Sequence, residues 1–161
     1  MEYEIVLASL DDREEILRLY KAQLGREFCP WDEYYPSYQT IDGDMSRAAL
    51  FVLKKDSKIA AAISIEEDDE VDKLPCWSRE LAPSGELARL AVHPAEQNSG
   101  LGRIMLRFGM DELRRRGFKA VHFLVNEQNE KAIRCYAVYG FNVAGRCHMY
   151  EQDFLCYEKE L

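Results

Sequence analysis

No stretch of this chain approaches the roughly 20 consecutive apolar residues that a membrane-spanning helix needs. Its opening Met1-Glu2-Tyr3-Glu4 carries acid where a secretory signal would carry base. These absences predict a cytoplasmic protein with no membrane partner. Cysteine is scarce and odd in number, with Cys29, Cys76, Cys135, Cys147 and Cys156 widely spaced and no Cys-x-x-Cys pair. Such spacing offers neither a disulfide framework nor a zinc site, so no metal is expected and the thiols should be reduced and mostly buried. Positive charge is also short: Lys+Arg of 21 against Asp+Glu of 29 leaves −8. That balance opposes nucleic acid and anionic lipid, and favours a cationic partner. Internal repeats and low-complexity linkers are missing as well. With 47% hydrophobic and 31% charged residues over 161 positions, the expectation is one globular domain, residues 1–161.

Apolar periodicity supplies the elements. Residues 5–8 read as a strand. Ser9 can cap a helix to about residue 24, with Asp11 and Asp12 in its first turn and Ile16, Leu17, Tyr20 and Leu24 as one buried stripe. Residues 28–36 hold two prolines among Phe28, Trp31, Tyr34 and Tyr35, the pattern of a structured loop, and a short helix over 37–46 follows. Residues 50–53 and 59–65 flank Lys55-Asp56-Ser57-Lys58 as a hairpin. The acidic run 66–72 is expected to be a solvated loop or helix end. A strand at 86–92, with Leu90 and Val92 as core side chains, stops at His93-Pro94. An amphipathic helix follows over 101–116, then a buried strand at 120–125 and an Asn129-capped helix to Tyr139. Two strands, 141–147 and 154–159, close the chain. The order β-α-α-β-β-β-α-β-α-β-β predicts an α/β fold with a mixed sheet flanked by helices.

The chemistry concentrates after the central strand, in Leu90-Ala91-Val92-His93-Pro94-Ala95-Glu96-Gln97-Asn98-Ser99-Gly100-Leu101-Gly102-Arg103. A glycine loop entering a helix presents backbone N–H groups at the positive end of the macrodipole, which is an anion site, and Arg103 adds charge. The alternative is that both glycines serve turn geometry alone. The spacing is neither the dinucleotide Gly-x-Gly-x-x-Gly nor a Walker A loop.

Gln97-x-x-Gly100-x-Gly102 after Leu90-Ala91-Val92-His93-Pro94 resembles the signature of GNAT acetyltransferases. The stretch from Asn126 through Asn129, Ala132, Tyr136, Gly140 and Phe141 resembles that family's second block. The resemblance spans the whole chain and implies a splayed GNAT sheet and acetyl-coenzyme A as co-substrate. It further implies that the backbone of Leu90, Ala91 and Val92 pairs with the pantetheine arm. Asn98, Ser99, Gly100, Leu101, Gly102 and Arg103 would bind pyrophosphate, and Asn129 the pantetheine chain. Tyr136 falls at the family's general-acid position, and Glu86 is the candidate base that deprotonates an amine. Plainer readings stand beside these: Asn129 as a helix cap, Tyr136 as a core tyrosine beside Ile133, and Glu86 as a surface carboxylate. Leu124 and Val125 occupy the stretch where the ribosomal-protein N-terminal branch usually has glutamate. Cys135, adjacent to Tyr136, lies on another helix face and is a poor nucleophile candidate. The acceptor is expected to be a small primary amine drawn to Phe28, Trp31, Tyr34 and Tyr35, with Asp32, Glu33 and the run 66–72 adding attraction. The alternatives are a non-catalytic acyl-coenzyme A sensor, and a protein N-terminal or lysine acetyltransferase. A homodimer is compatible with either.

Overall fold

The computed structural model describes residues 2–27 and 29–161. Phe28, one of the four aromatics singled out above, lies outside the described residues. Strands β1 (Glu4–Leu7), β2 (Leu50–Lys55), β3 (Lys58–Glu66), β4 (Ser84–Val92), β5 (Ala120–Asn126), β6 (Asn142–Met149) and β7 (Gln152–Glu160) form one sheet. Its order is β1-β2-β3-β4-β5-β7-β6. The helices are α1 (Arg13–Lys21), α2 (Tyr38–Ser46), the short α3 (Asp69–Asp72), α4 (Leu101–Arg115) and α5 (Glu130–Val138). The sheet is mixed: β4 and β5 run parallel, whereas β1–β2, β2–β3, β5–β7 and β6–β7 are antiparallel. The parallel β4–β5 register pairs Ser84 with Ala120, Gly85 with Val121 and Glu86 with His122. Among the described residues no helix is long and apolar enough to cross a membrane.

Contacts divide the chain into two units, residues 1–66 with 88–109 and residues 67–87 with 110–161. The first unit buries Ile16, Leu19 and Tyr20 of α1 with Ile41 of α2, Leu50 and Val52 of β2, Ile59 and Ala62 of β3, and Ala91 of β4. Each buried Ile or Leu contributes about 1.5–3 kcal/mol from water exclusion, so the stripe on α1 is held by its apolar spacing more than by helix propensity. In the second unit Leu113, Val121, Phe123, Val125, Phe141 and Tyr157 are buried, and Gly85 lies against the Leu113 side chain, which occupies the space of a Cβ.

Four expectations need correction. The first helix does not run from Ser9 to residue 24 as one α-helix: Leu10–Asp12 is a 3₁₀ turn, α1 spans Arg13–Lys21, and turns follow. The cause is Asp12, whose carboxylate accepts from Ser9 N at 2.9 Å and Oγ at 3.2 Å and pairs with Lys54 at 2.8 Å, tightening the first turn. The acidic run is not simply solvated. Glu66 ends β3 within an ion-pair network, Val71 is buried, and Asp72 bonds the His122 ring at 2.9 Å, because Glu66 and Asp72 meet bases distant in sequence. Of the five cysteines only Cys156 is fully buried, and the other four are half-buried. Finally, the core-facing residues of β4 are Gly85, Leu87 and Ala91, while Leu90 is 37% exposed and Val92 half-buried. Strand alternation places the odd positions on the buried face.

Candidate functional site

In the first unit the site grows from an irregularity in β4. Arg89 adopts φ +50, the left-handed region that L-residues with side chains avoid, so something must hold it there. Its guanidinium is 7% exposed and donates to Asp44 from Nε at 3.0 Å and from one terminal nitrogen at 2.8 Å. It also donates to Glu66 at 2.8 Å and to the Tyr35 hydroxyl at 3.2 Å. Asp44, itself buried on α2, also accepts from Arg47 at 2.6 Å and Ser64 at 2.8 Å. Burial opposes the charge on Arg89, but Asp44 and Glu66 outweigh it and hold the guanidinium above its usual range. This clamp fixes the kinked backbone immediately before Leu90.

The end of the same strand is pinned separately. The Val92 carbonyl accepts from the carboxamides of Gln23 at 2.9 Å and Gln97 at 2.7 Å. Arg26 in turn donates to both carboxamide oxygens, at 2.8 and 3.0 Å. Gln97 thus ties the loop back to the strand it leaves. The chain then turns through Asn98 at φ +63 and Gly100 at φ +88 and enters α4, whose first backbone bond runs from Ile104 N to Gly100 O at 3.1 Å. The amides of residues 101–103 therefore precede any helical acceptor, as at every helix start.

The two glycines differ in their reasons. Gly100 is required by its left-handed backbone, with no neighbour within 4 Å of a built Cβ. Gly102 has no such backbone demand, and a Cβ there would meet only Val92 Cγ2 at 3.9 Å, an ordinary contact. Among the described residues nothing else packs against the bare Cα of Gly102, which leaves open space at the α4 N-terminus of the kind that lets an anion approach helix amides closely. Asn98, Ser99 and Arg103 are exposed around it.

The three described acceptor aromatics differ in their surroundings. Trp31 packs its ring edge-on to Tyr20, with centroids 5.4 Å apart, and belongs to the margin of the core. Tyr35 is engaged by Arg89, and Tyr34 is 79% exposed.

In the second unit, Glu86 stands on β4 in register with His122, half-buried. Asn129 caps α5, its Oδ1 accepting from Ala132 N at 3.2 Å. Tyr136, on α5, lies edge-on to Phe123 at 4.8 Å and Phe141 at 5.6 Å, and 5.8 Å from Tyr157. Burial in this aromatic cage pushes its phenol up to about 12. Among the described residues no group of three or more His, Cys, Asp or Glu could hold a metal ion.

The residues around β4 that pattern reading missed are Arg89, Asp44, Gln23 and Arg26, which hold its backbone in place. Only the basic residue inside an otherwise apolar strand, Leu87-Ala88-Arg89-Leu90, could have flagged one of them.

Residues 13–141 match the family described as Acetyltransferase (GNAT) family. A mycothiol acetyltransferase of Rhodococcus erythropolis is 28% identical over 140 residues, covering 82% of this chain and 44% of that protein. One from Streptosporangium roseum is 46% identical over 59 residues, covering 37% of this chain and 18% of that protein. The chain thus matches less than half the length of these curated relatives. The crystal structure of the ribosomal-protein-S18-alanine N-acetyltransferase from Escherichia coli shares the fold with a TM-score of 0.74. It is 22% identical, over 99% of this chain and 94% of that one.

Proposed function

Since this chain belongs to the acetyltransferase (GNAT) family, whose acyl donor is acetyl-coenzyme A, we propose that it acetylates a small primary amine by direct attack, without a covalent enzyme intermediate. The observation that carries this reading is the bare Cα of Gly102 at the start of α4. In this reading Asn98, Ser99, Gly100, Leu101, Gly102 and Arg103 hold the donor's pyrophosphate, and the Leu90 to Val92 backbone and Asn129 hold its pantetheine arm. Acetyl-coenzyme A supplies an acyl group activated as a thioester. One backbone N–H group of residues 90–92 polarises the carbonyl. Glu86 takes the proton that an alkylammonium, with a pKa near 10.4, must lose before it attacks, and Tyr136 Oη gives a proton to the departing sulfur.

Support for a small cationic acceptor comes from the −8 charge and the exposed Tyr34 beside Asp32 and Glu33. The relatives' name makes a mycothiol-type acceptor the first candidate to try. Release of coenzyme A is measured over a panel of that acceptor, polyamines, amino sugars, amino-acid-like amines and peptide N-termini. Turnover with small amines is expected to exceed that with peptides. Exclusive use of peptides would overturn the acceptor class, and tight donor binding with no turnover on any amine would overturn the enzyme reading.

The cradle has its own test. Gly100→Val with Gly102→Val places a β-branched residue at φ +88 and fills the gap before the helix amides. Calorimetry should show acetyl-coenzyme A affinity reduced at least about tenfold, roughly 1.4 kcal/mol. Affinity equal to that of the unsubstituted protein would remove the loop as the pyrophosphate site.

A further inference from the structure

Three of the five thiols, distant in sequence, meet on one face of the second unit. In the β6–β7 ladder Gly145 is directly opposite Cys156, and Cys147 is opposite Phe154. Period-two alternation puts Gly145 and Cys147 on one face, with Cys156 across from the glycine. Cys76 fills the space that Gly145 leaves. A Cβ built on Gly145 would come 2.7 Å from Cys76 Cβ and 3.8 Å from its Sγ. Cys156, directly opposite Gly145, thus lies beside Cys76 in the gap that the glycine leaves.

Cys76 is held there by its neighbours. Trp77 stacks on His122 with centroids 4.3 Å apart, and its Nε1 donates to the Val71 carbonyl at 2.7 Å. Ser78 donates to the buried Glu158 carboxylate from N at 3.1 Å and from Oγ at 2.5 Å. The segment 76–78 is therefore fastened to β5 and β7 by contacts other than its thiol, and little ordering remains for a bond to fix. Cys76 is half-buried and Cys156 is fully buried, so a reagent from solvent meets Cys76 before Cys156.

We propose that Cys76 and Cys156 form a thiol–disulfide pair, which closes when the protein meets a low-molecular-weight disulfide. The Cys76 thiolate attacks one sulfur of the reagent, forming a mixed disulfide and expelling one thiolate. Cys156 gives its proton to solvent, its sulfur attacks Cys76 Sγ, and the second reagent thiolate leaves. Two protein thiols are oxidised to one disulfide, and one reagent disulfide is reduced to two thiols. Burial and the neighbouring Cys76 and Cys147 thiols push the Cys156 thiol up, which favours Cys76 as the sulfur that attacks the reagent first. Cys147 is the poorer partner for Cys156. Diagonal residues of an antiparallel ladder have Cα atoms about 7–8 Å apart, against roughly 4.4–6.8 Å for a disulfide.

The test uses the full, reduced chain with excess oxidised glutathione at about pH 8, followed by alkylation, proteolysis and mass spectrometry. Two of the five thiols should be lost as one Cys76–Cys156 linked peptide. The melting temperature should rise by roughly 5–10 °C, because the bridge closes a long loop of the unfolded chain. Cys76→Ser should leave Cys156 reduced, and Cys156→Ala should leave glutathione on Cys76. The proposal is overturned if Cys76 and Cys156 stay reduced after Cys29 or Cys135 has taken up glutathione, or if the bridge found is Cys147–Cys156. Should Cys156→Ala not fold, the Cys76→Ser arm, at a half-buried position, decides alone.

Discussion

Tyr136→Phe is expected to lower turnover by roughly 10²–10⁴-fold, the usual contribution of a general acid, while leaving acetyl-coenzyme A affinity unchanged. The substitution removes one hydroxyl and keeps the ring, so packing against Phe123, Phe141 and Tyr157 survives. Burial, which pushes the phenol up to about 12, stabilises its neutral form. The donor therefore remains protonated throughout an ordinary assay range and is lost only as pH rises through the folded value. Any alkaline fall in kcat below about pH 11 must then arise elsewhere. On the proposed mechanism Glu86→Gln should alter the acid limb of kcat/KM, whereas Tyr136→Phe should not. Single-turnover kinetics separate chemistry from product release. Unchanged turnover in Tyr136→Phe, with chemistry rate-limiting, would reject the acid, and an unaltered acid limb in Glu86→Gln would reject the base.

Asp44→Ala should destabilise the protein by about 3–5 kcal/mol, among the largest single effects available here. The carboxylate is 3% exposed and accepts from Arg47, Ser64 and two nitrogens of Arg89, itself 7% exposed at the side chain. Truncation leaves the buried guanidinium with Glu66 and Tyr35 alone. The cost is mostly the desolvated charge left under-compensated. Replacing Arg89 by Met as well removes that charge, and the double variant should recover part of the loss. Urea unfolding measures both. A single variant within about 1 kcal/mol of the unsubstituted protein would show the network to be dispensable.

The element order was legible because its signals are local. The stripe Ile16, Tyr20 on α1, the turn between β2 and β3, the Asn129 cap and the glycine entry to α4 each depend on residues a few positions apart. The chain's membership of its family was legible for the same reason, since both blocks are contiguous. Burial along β4 was misread because an apolar residue name does not say which face it occupies, and Leu90 is exposed while Ala91 is the core residue. The acidic run was misread because Glu66 and Asp72 find their bases, Arg89 and His122, 23 and 50 residues away.

By itself, then, the amino-acid order determined the succession of the main strands and helices, that the central loop can present bare amides, and which residues carry phenol, carboxylate and thiol. Only the tertiary structure decided what those groups meet. Arg89 finds Asp44 across 45 residues, Gln23 finds the Val92 carbonyl across 69, and Ser78 finds Glu158 across 80. Such pairings have no periodic trace, because a charge or thiol is stabilised by whichever group the packed backbone places beside it, and that placement follows from burying apolar faces that the polar residues do not themselves encode.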